Sequence, residues 1–229
     1  MLWGYFDESG EAEPATGHLA NLTIGGCFAP FGVWQTVSAE WKRLLIAEDV
    51  SMFHAADFEH YRGEFEWLLP DGKRDVERHQ RFLNGLLDVI CGHLRHYVAF
   101  GNVPVPQDPR KRFADAYERG IVDVIMHAGK ESAFTFEQPI SLVFAMHKDF
   151  SEDRIRRYHN LINWGDARLA AVAVGRPELL CPLQVADLVA YELSRQQRPN
   201  APDRYPLRRI KQAAESCNVI WSARSWPPR

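Results

Sequence analysis

The feature that most constrains this chain lies at its start, where the apolar run Leu2-Trp3-Gly4-Tyr5-Phe6 ends on two adjacent carboxylates, Asp7 and Glu8, followed by Ser9-Gly10. Such a run has the character of a core strand, and burying a lone carboxylate costs several kcal/mol unless something compensates it. An acidic pair at the end of that strand therefore needs either solvent or a cation. Taken alone, Asp-Glu-Ser-Gly has the composition of an ordinary hairpin turn, which puts both carboxylates in water. The choice turns on what the rest of the chain can bring beside them.

Apolar periodicity supplies the other elements. Residues 18–29 read as a second strand, completing a hairpin with Leu2–Phe6, and the Gly25-Gly26 pair within it is a place to bulge or bend. Val37, Trp41, Leu44 and Leu45 recur at helical spacing over Thr36–Glu48, with Thr36 or Ser38 available as a cap. The stretch Phe53–Phe58, "FHAADF", is too short to classify. Further along, Asp75–Leu94 and Asp108–His127 read as amphipathic helices, with a strand over His96–Val105 between them. Ile140–Met146 is the most apolar strand candidate, followed by a helix at Ser151–Ile162, a strand at Leu169–Val174 and a closing helix at Leu183–Gln197. Strands first, then alternating helices and strands, predict one α/β domain over residues 1–229 with a mixed sheet flanked by helices.

Composition narrows the function classes. Hydrophobic residues make up 46% of the 229 and charged residues 25%, which excludes wholesale disorder. No apolar run is long enough to span a bilayer and the N-terminus lacks the features of a secretory signal, so a cytoplasmic location is expected. Cys27, Cys91, Cys181 and Cys217 show no paired spacing and read as buried free thiols. The formal charge of -3 gives no global basic field, so any phosphate binding has to be local or metal-mediated.

Three carboxylates fall where a site at a sheet edge can be assembled. Asp7 follows the first strand, Asp149 follows Ile140–Met146, and Asp187 lies in "PLQVADLVAYE" among residues that favour burial. Gln184, Asp187 and Tyr191 share one helix face. Each has an ordinary alternative: Asp187 as a first-turn carboxylate on the helix dipole, Asp149 as part of a solvated loop, and His54 with Asp57 as a hydrogen-bonded structural pair.

The combination of "YFDESG", "FHAADF" and "LQVADLVAYE", in that order over nearly the whole chain, resembles the bacterial and phage domain-of-unknown-function family thirty-eight hundred, which is similar to ribonuclease H in fold. The resemblance implies a ribonuclease-H-like sheet, antiparallel at first and parallel after, whose acidic residues bind Mg2+ or Mn2+ for cleavage of DNA or RNA phosphodiesters. Carried over by residue, Asp7 and Glu8 match the opening acidic pair, Gln184 and Asp187 the late motif, and His54 and Asp57 the middle one. Asp149 is assigned as a further ligand from its place after the strand beside the first.

Carboxylates suit such chemistry because hard cations prefer oxygen donors and keep several waters for the substrate to displace. His147, two residues before Asp149, is a candidate proton shuttle. Arg154, Arg156 and Arg157, and near the C-terminus Arg204, Arg208, Arg209 and Lys211, are candidates for neutralising phosphates, and Trp221 and Trp226 for stacking on bases. A phosphatase with Asp7 as nucleophile fits poorly, because the second Asp of a D-x-D-x-T pattern is missing. The competing reading is a catalytically inactive ribonuclease-H-like scaffold for nucleic acid or a partner protein, with homo-oligomers also allowed.

Overall fold

The N-terminal apolar run forms the middle of a sheet. The computed structural model describes residues 1–12, 19–104, 112–130, 139–146, 169–196 and 204–221. Strand β1 (Leu2–Ala12) pairs antiparallel with β2 (Leu19–Pro30) on one side and parallel with β4 (Ile140–Ala145) on the other. Outward from these, β3 (His96–Pro104) pairs antiparallel with β2, β5 (Leu169–Gly175) parallel with β4, and β6 (Ser216–Trp221) parallel with β3. The order is β5-β4-β1-β2-β3-β6. This is the mixed α/β sheet expected from the sequence, antiparallel in its first strands and parallel afterwards.

The pleat sends successive side chains to opposite faces, and each face has its own core. Tyr5, Cys27, Tyr97 and Val143 lie under α1 (Phe31–Ala47), α3 (Val76–His93) and α5 (Cys181–Gln196), joined by Phe58 of α2 (Ala55–Glu59) and Leu207 of α6 (Tyr205–Ala213). Phe6, Ile24, Phe28, Val98 and Phe144 face the other way, against Tyr117, Ile121 and Val124 of α4 (Arg112–Lys130). Asp7 follows the alternation of Tyr5 and shares the face covered by α5. No described helix is long and apolar enough to cross a membrane.

Several expectations change. Asp-Glu-Ser-Gly is not a turn: β1 continues to Ala12, with Asp7 opposite Gly25, Glu8 opposite Ile24 and Gly10 opposite Leu22. A turn at that point would have deprived Leu22 and Ile24 of the backbone ladder that holds them in the core. The pairing of β1 with β4 does stop at Phe6 and Phe144, so the acidic pair begins where β1 outruns its parallel neighbour. The irregularity in β2 against β3 falls between Leu22 and Ile24, not at the glycine pair.

Helix boundaries move as well. Helix α1 starts at Phe31, and the hydroxyls of Thr36 and Ser38 donate back to the carbonyls of Gly32 and Trp34 inside the helix instead of capping it. Asp75 is the cap of α3, accepting from Arg78 N at 2.9 Å. Helix α6 and strand β6 have no counterpart in the sequence reading. The helix read over Ser151–Ile162 and the first residues of the one read from Asp108 lie outside the described residues. Of the thiols, Cys27 and Cys181 are buried and Cys91 is half-buried.

Candidate acidic site between the first strand and helix α5

A glycine sets how closely the two acidic elements approach. A Cβ on Gly25 would stand 2.6 Å from Ala190 Cα, inside any tolerable contact, so the bare backbone of β2 admits α5 against the sheet. Gly25 lies opposite Asp7 in the ladder, and Asp187 precedes Ala190 by one helical turn. The same close approach thus brings Asp187 to Asp7. Both are nearly sealed from solvent, at 9% exposure for Asp7 and 7% for Asp187.

The polar face of α5 also fixes the segment ahead of α2. Gln184 Oε1 accepts from Trp41 Nε1 and from Phe53 N, each at 3.0 Å, while its Nε2 donates to Pro177 O at 2.8 Å. Asp187 Oδ2 accepts from Ala55 N at 2.7 Å. Below this clip Phe53 and Phe58 join Phe65, Phe82 and Trp67 in an aromatic cluster. Gln184 therefore links α1 and the segment ahead of α2 to α5. At the rim, His54 Nδ1 lies 2.9 Å from Asp57 Oδ2, and Arg62 Nη2 lies 3.0 Å from Asp57 Oδ1.

Electrostatically the site has an excess of negative charge. Burial, then the charges of Glu8 and Asp187, then a hydrogen bond between the Asp7 and Glu8 carboxyls, push Asp7 well above the ordinary carboxylate range, against one bond from Glu8 N to Asp7 Oδ1 at 2.8 Å. Asp187 is pushed up to about 6, chiefly by burial, with His54 and the Ala55 amide opposing and Glu8 and Asp57 adding to the rise. Glu8 Oε2 is buried and has no hydrogen-bond partner. The dipole cannot be what keeps Asp187 ionised: the helix starts at Cys181, placing Asp187 in its second turn, beyond the reach of that effect.

The candidates therefore divide. Asp7, Glu8 and Asp187 meet, with His54 and Asp57 at their edge. Asp149, His147, Arg154, Arg156, Arg157 and Trp226 lie outside the described residues. Arg204 and Arg209 are not free for phosphate, since Arg204 Nη2 binds Glu59 Oε2 at 2.6 Å and Arg209 Nη2 binds Asp88 Oδ1 at 2.7 Å. Sequence reasoning missed both of these pairings and the part played by Gly25. The signals it had were a glycine pair inside a strand and a second carboxylate, Glu192, on the helix that carries Asp187.

The donor set suits a hard divalent cation in kind: all oxygen, clustered, mutually repelling, with a buried carboxylate oxygen left unpaired. Among the described residues no group of three or more His, Cys, Asp or Glu is placed so that it could hold a metal ion. Asp7 and Asp187 each rest one oxygen on a backbone amide instead. The cleft lined by Tyr5, Trp34, Lys42, Leu180 and Cys181, about 430 Å³, contains neither acid. Comparison of the sequence with models of known families and with curated proteins finds no match.

Proposed function

We propose that this chain is a divalent-metal-dependent nuclease that hydrolyses phosphodiester bonds of DNA or RNA, with Asp7, Glu8 and Asp187 holding Mg2+ or Mn2+. The observation that carries this reading is the gathering of three carboxylates from opposite ends of the chain into a buried site where Asp7 is pushed up by both of the others. Clustered acids either hold protons or take up a cation in their place. When bound, such a cation activates a water and offsets charge on the phosphate. The chain's own part is to present oxygen donors from a rigid strand and a rigid helix, and to release the carboxyl protons as the cation takes their place.

Asp7→Asn tests this directly, because it removes one charge and keeps the shape. Cleavage of single-stranded and duplex DNA and RNA oligonucleotides with manganese should fall by about 10³-fold. Manganese should raise the melting temperature of the parent and do so much less for the variant. With chelator present the variant should melt no lower than the parent, because repulsion has been relieved. Equal manganese shifts in the two proteins, with no cleavage by either, would favour the inactive scaffold.

A further inference from the structure

Two buried polar side chains of α5 are committed to one short piece of backbone. Gln184 Oε1 holds Phe53 N at 3.0 Å and Asp187 Oδ2 holds Ala55 N at 2.7 Å, so the amides on both sides of His54 are anchored to the helix that carries the acid site. The ring is anchored too, through Nδ1 to Asp57 Oδ2 at 2.9 Å, and Asp57 is steadied in turn by Arg62 at 3.0 Å. His54 stands at the N-cap of α2 yet its side chain caps nothing, and it remains 49% exposed. Its charge reaches Asp187, where it is the largest influence opposing burial. A histidine fixed in backbone and ring, open to water and adjoining buried carboxylates has the placement of a proton-transfer group.

We propose that His54, oriented by Asp57, donates the proton to the leaving oxygen during phosphodiester hydrolysis at the acidic site; this rests on the nuclease reading above. The Nδ1–H bond to Asp57 selects the tautomer and leaves Nε2 as the working nitrogen. As the bond from the attacking water oxygen to phosphorus forms, the bond from phosphorus to the leaving oxygen breaks, and that oxygen takes the proton from Nε2–H. The attacking water gives up a proton to solvent, and the neutral imidazole regains one from solvent. Asp57 holds the ring at Nδ1 throughout. Asp187, Glu8 and Asp57 are the carboxylates acting on the same region, and Arg62 is the cation beside Asp57.

The test compares leaving groups. With manganese, His54→Gln should lose about 10²-fold or more on an oligonucleotide, whose alkoxide must be protonated, and under about 3-fold on bis(4-nitrophenyl) phosphate, whose phenolate need not be. Asp57→Ala should lose about 10-fold on the oligonucleotide alone. Equal losses of His54→Gln on both substrates, or none on either, overturn the inference while leaving the nuclease reading standing. A parent that cleaves neither substrate overturns both. Independently of activity, nitrogen NMR of the metal-free parent should show neutral His54 protonated at Nδ1, with that preference lost in Asp57→Ala. An Nε2-protonated ring in the parent overturns the inference.

Discussion

Helix α5 buries two carboxylates little more than a turn apart, Asp187 and Glu192, and the protein surrounds them in opposite ways. Glu192, 3% exposed, lies 3.5 Å from Arg204 Nη1, and the same guanidinium binds Glu59 at 2.6 Å. Arg195 adds a contact to Glu59 at 3.8 Å and donates to Tyr191 Oη at 2.6 Å. Two acids there face two guanidiniums. Asp187 instead faces Asp7 and Glu8, relieved only by His54 and one backbone amide. A chain that brings arginines to one buried acid and further acids to the next has made the first a structural clasp and left the second with an excess of negative charge.

The sharpest way to break this contrast is to remove the clasp's cation. Arg204→Met leaves Glu192 buried beside Glu59 and should cost about 3 kcal/mol in urea unfolding, the low end for a buried pair because Arg204 is partly exposed. Adding Glu192→Gln should recover much of the loss. The corresponding removal of charge at the acid end, Asp7→Asn, should have the opposite sign in metal-free protein. Destabilisation by both would mean that the two ends are alike.

A middle-sized effect is expected at Gly25. Gly25→Ala pushes a methyl group into Ala190 and should cost about 2 kcal/mol. It should also weaken manganese stabilisation, because α5 has to shift away from β1. Loss of stability with manganese binding intact would separate the glycine from the site.

The smallest effect is the pH dependence. A carboxyl whose folded pKa is raised holds a proton that the unfolded chain has already lost, so its contribution is full below the ordinary range near pH 4 and disappears as pH rises through the folded value. For Asp187 that window ends at about 6, and for Glu192, raised mainly by burial against the pull of Arg204, at about 7. Metal-free protein should therefore melt lower at pH 8 than at pH 5. Asp7→Asn should flatten the part that belongs to the acid end and leave the part that belongs to Glu192. Parallel curves for parent and variant would remove Asp7 as a source of the strain.

The inner strands were legible because they are apolar runs, and the place of Leu2–Phe6 beside Ile140–Ala145 was read from the order of the elements. The extension of β1 through Asp7–Ala12 was not, because it depends on the length of β2 and on a glycine opposite the acid, which are properties of pairing and not of local propensity. Asp7, Glu8 and Asp187 could be singled out by type and by apolar surroundings. The role of Gln184 could not, since a buried amide reads the same whether it binds metal, substrate or two backbone segments. Helix α6 was hidden by its shortness and its run of basic residues, which suggested phosphate contacts because the carboxylates that bind Arg204 and Arg209 lie more than a hundred residues earlier.

The hydrogen bonds that join α5 to the rest of the site span 143, 131 and 132 residues of sequence, from Gln184 to Trp41, from Gln184 to Phe53 and from Asp187 to Ala55. In a chain made from its N-terminus, Asp7 emerges well before its partner acid on α5. Until α5 is made the acidic pair on β1 has no partner acid beside it, and a fragment that stops short of α5 lacks that part of the site however well its hairpin forms. Activity of whatever kind is tied in time to completion of the fold.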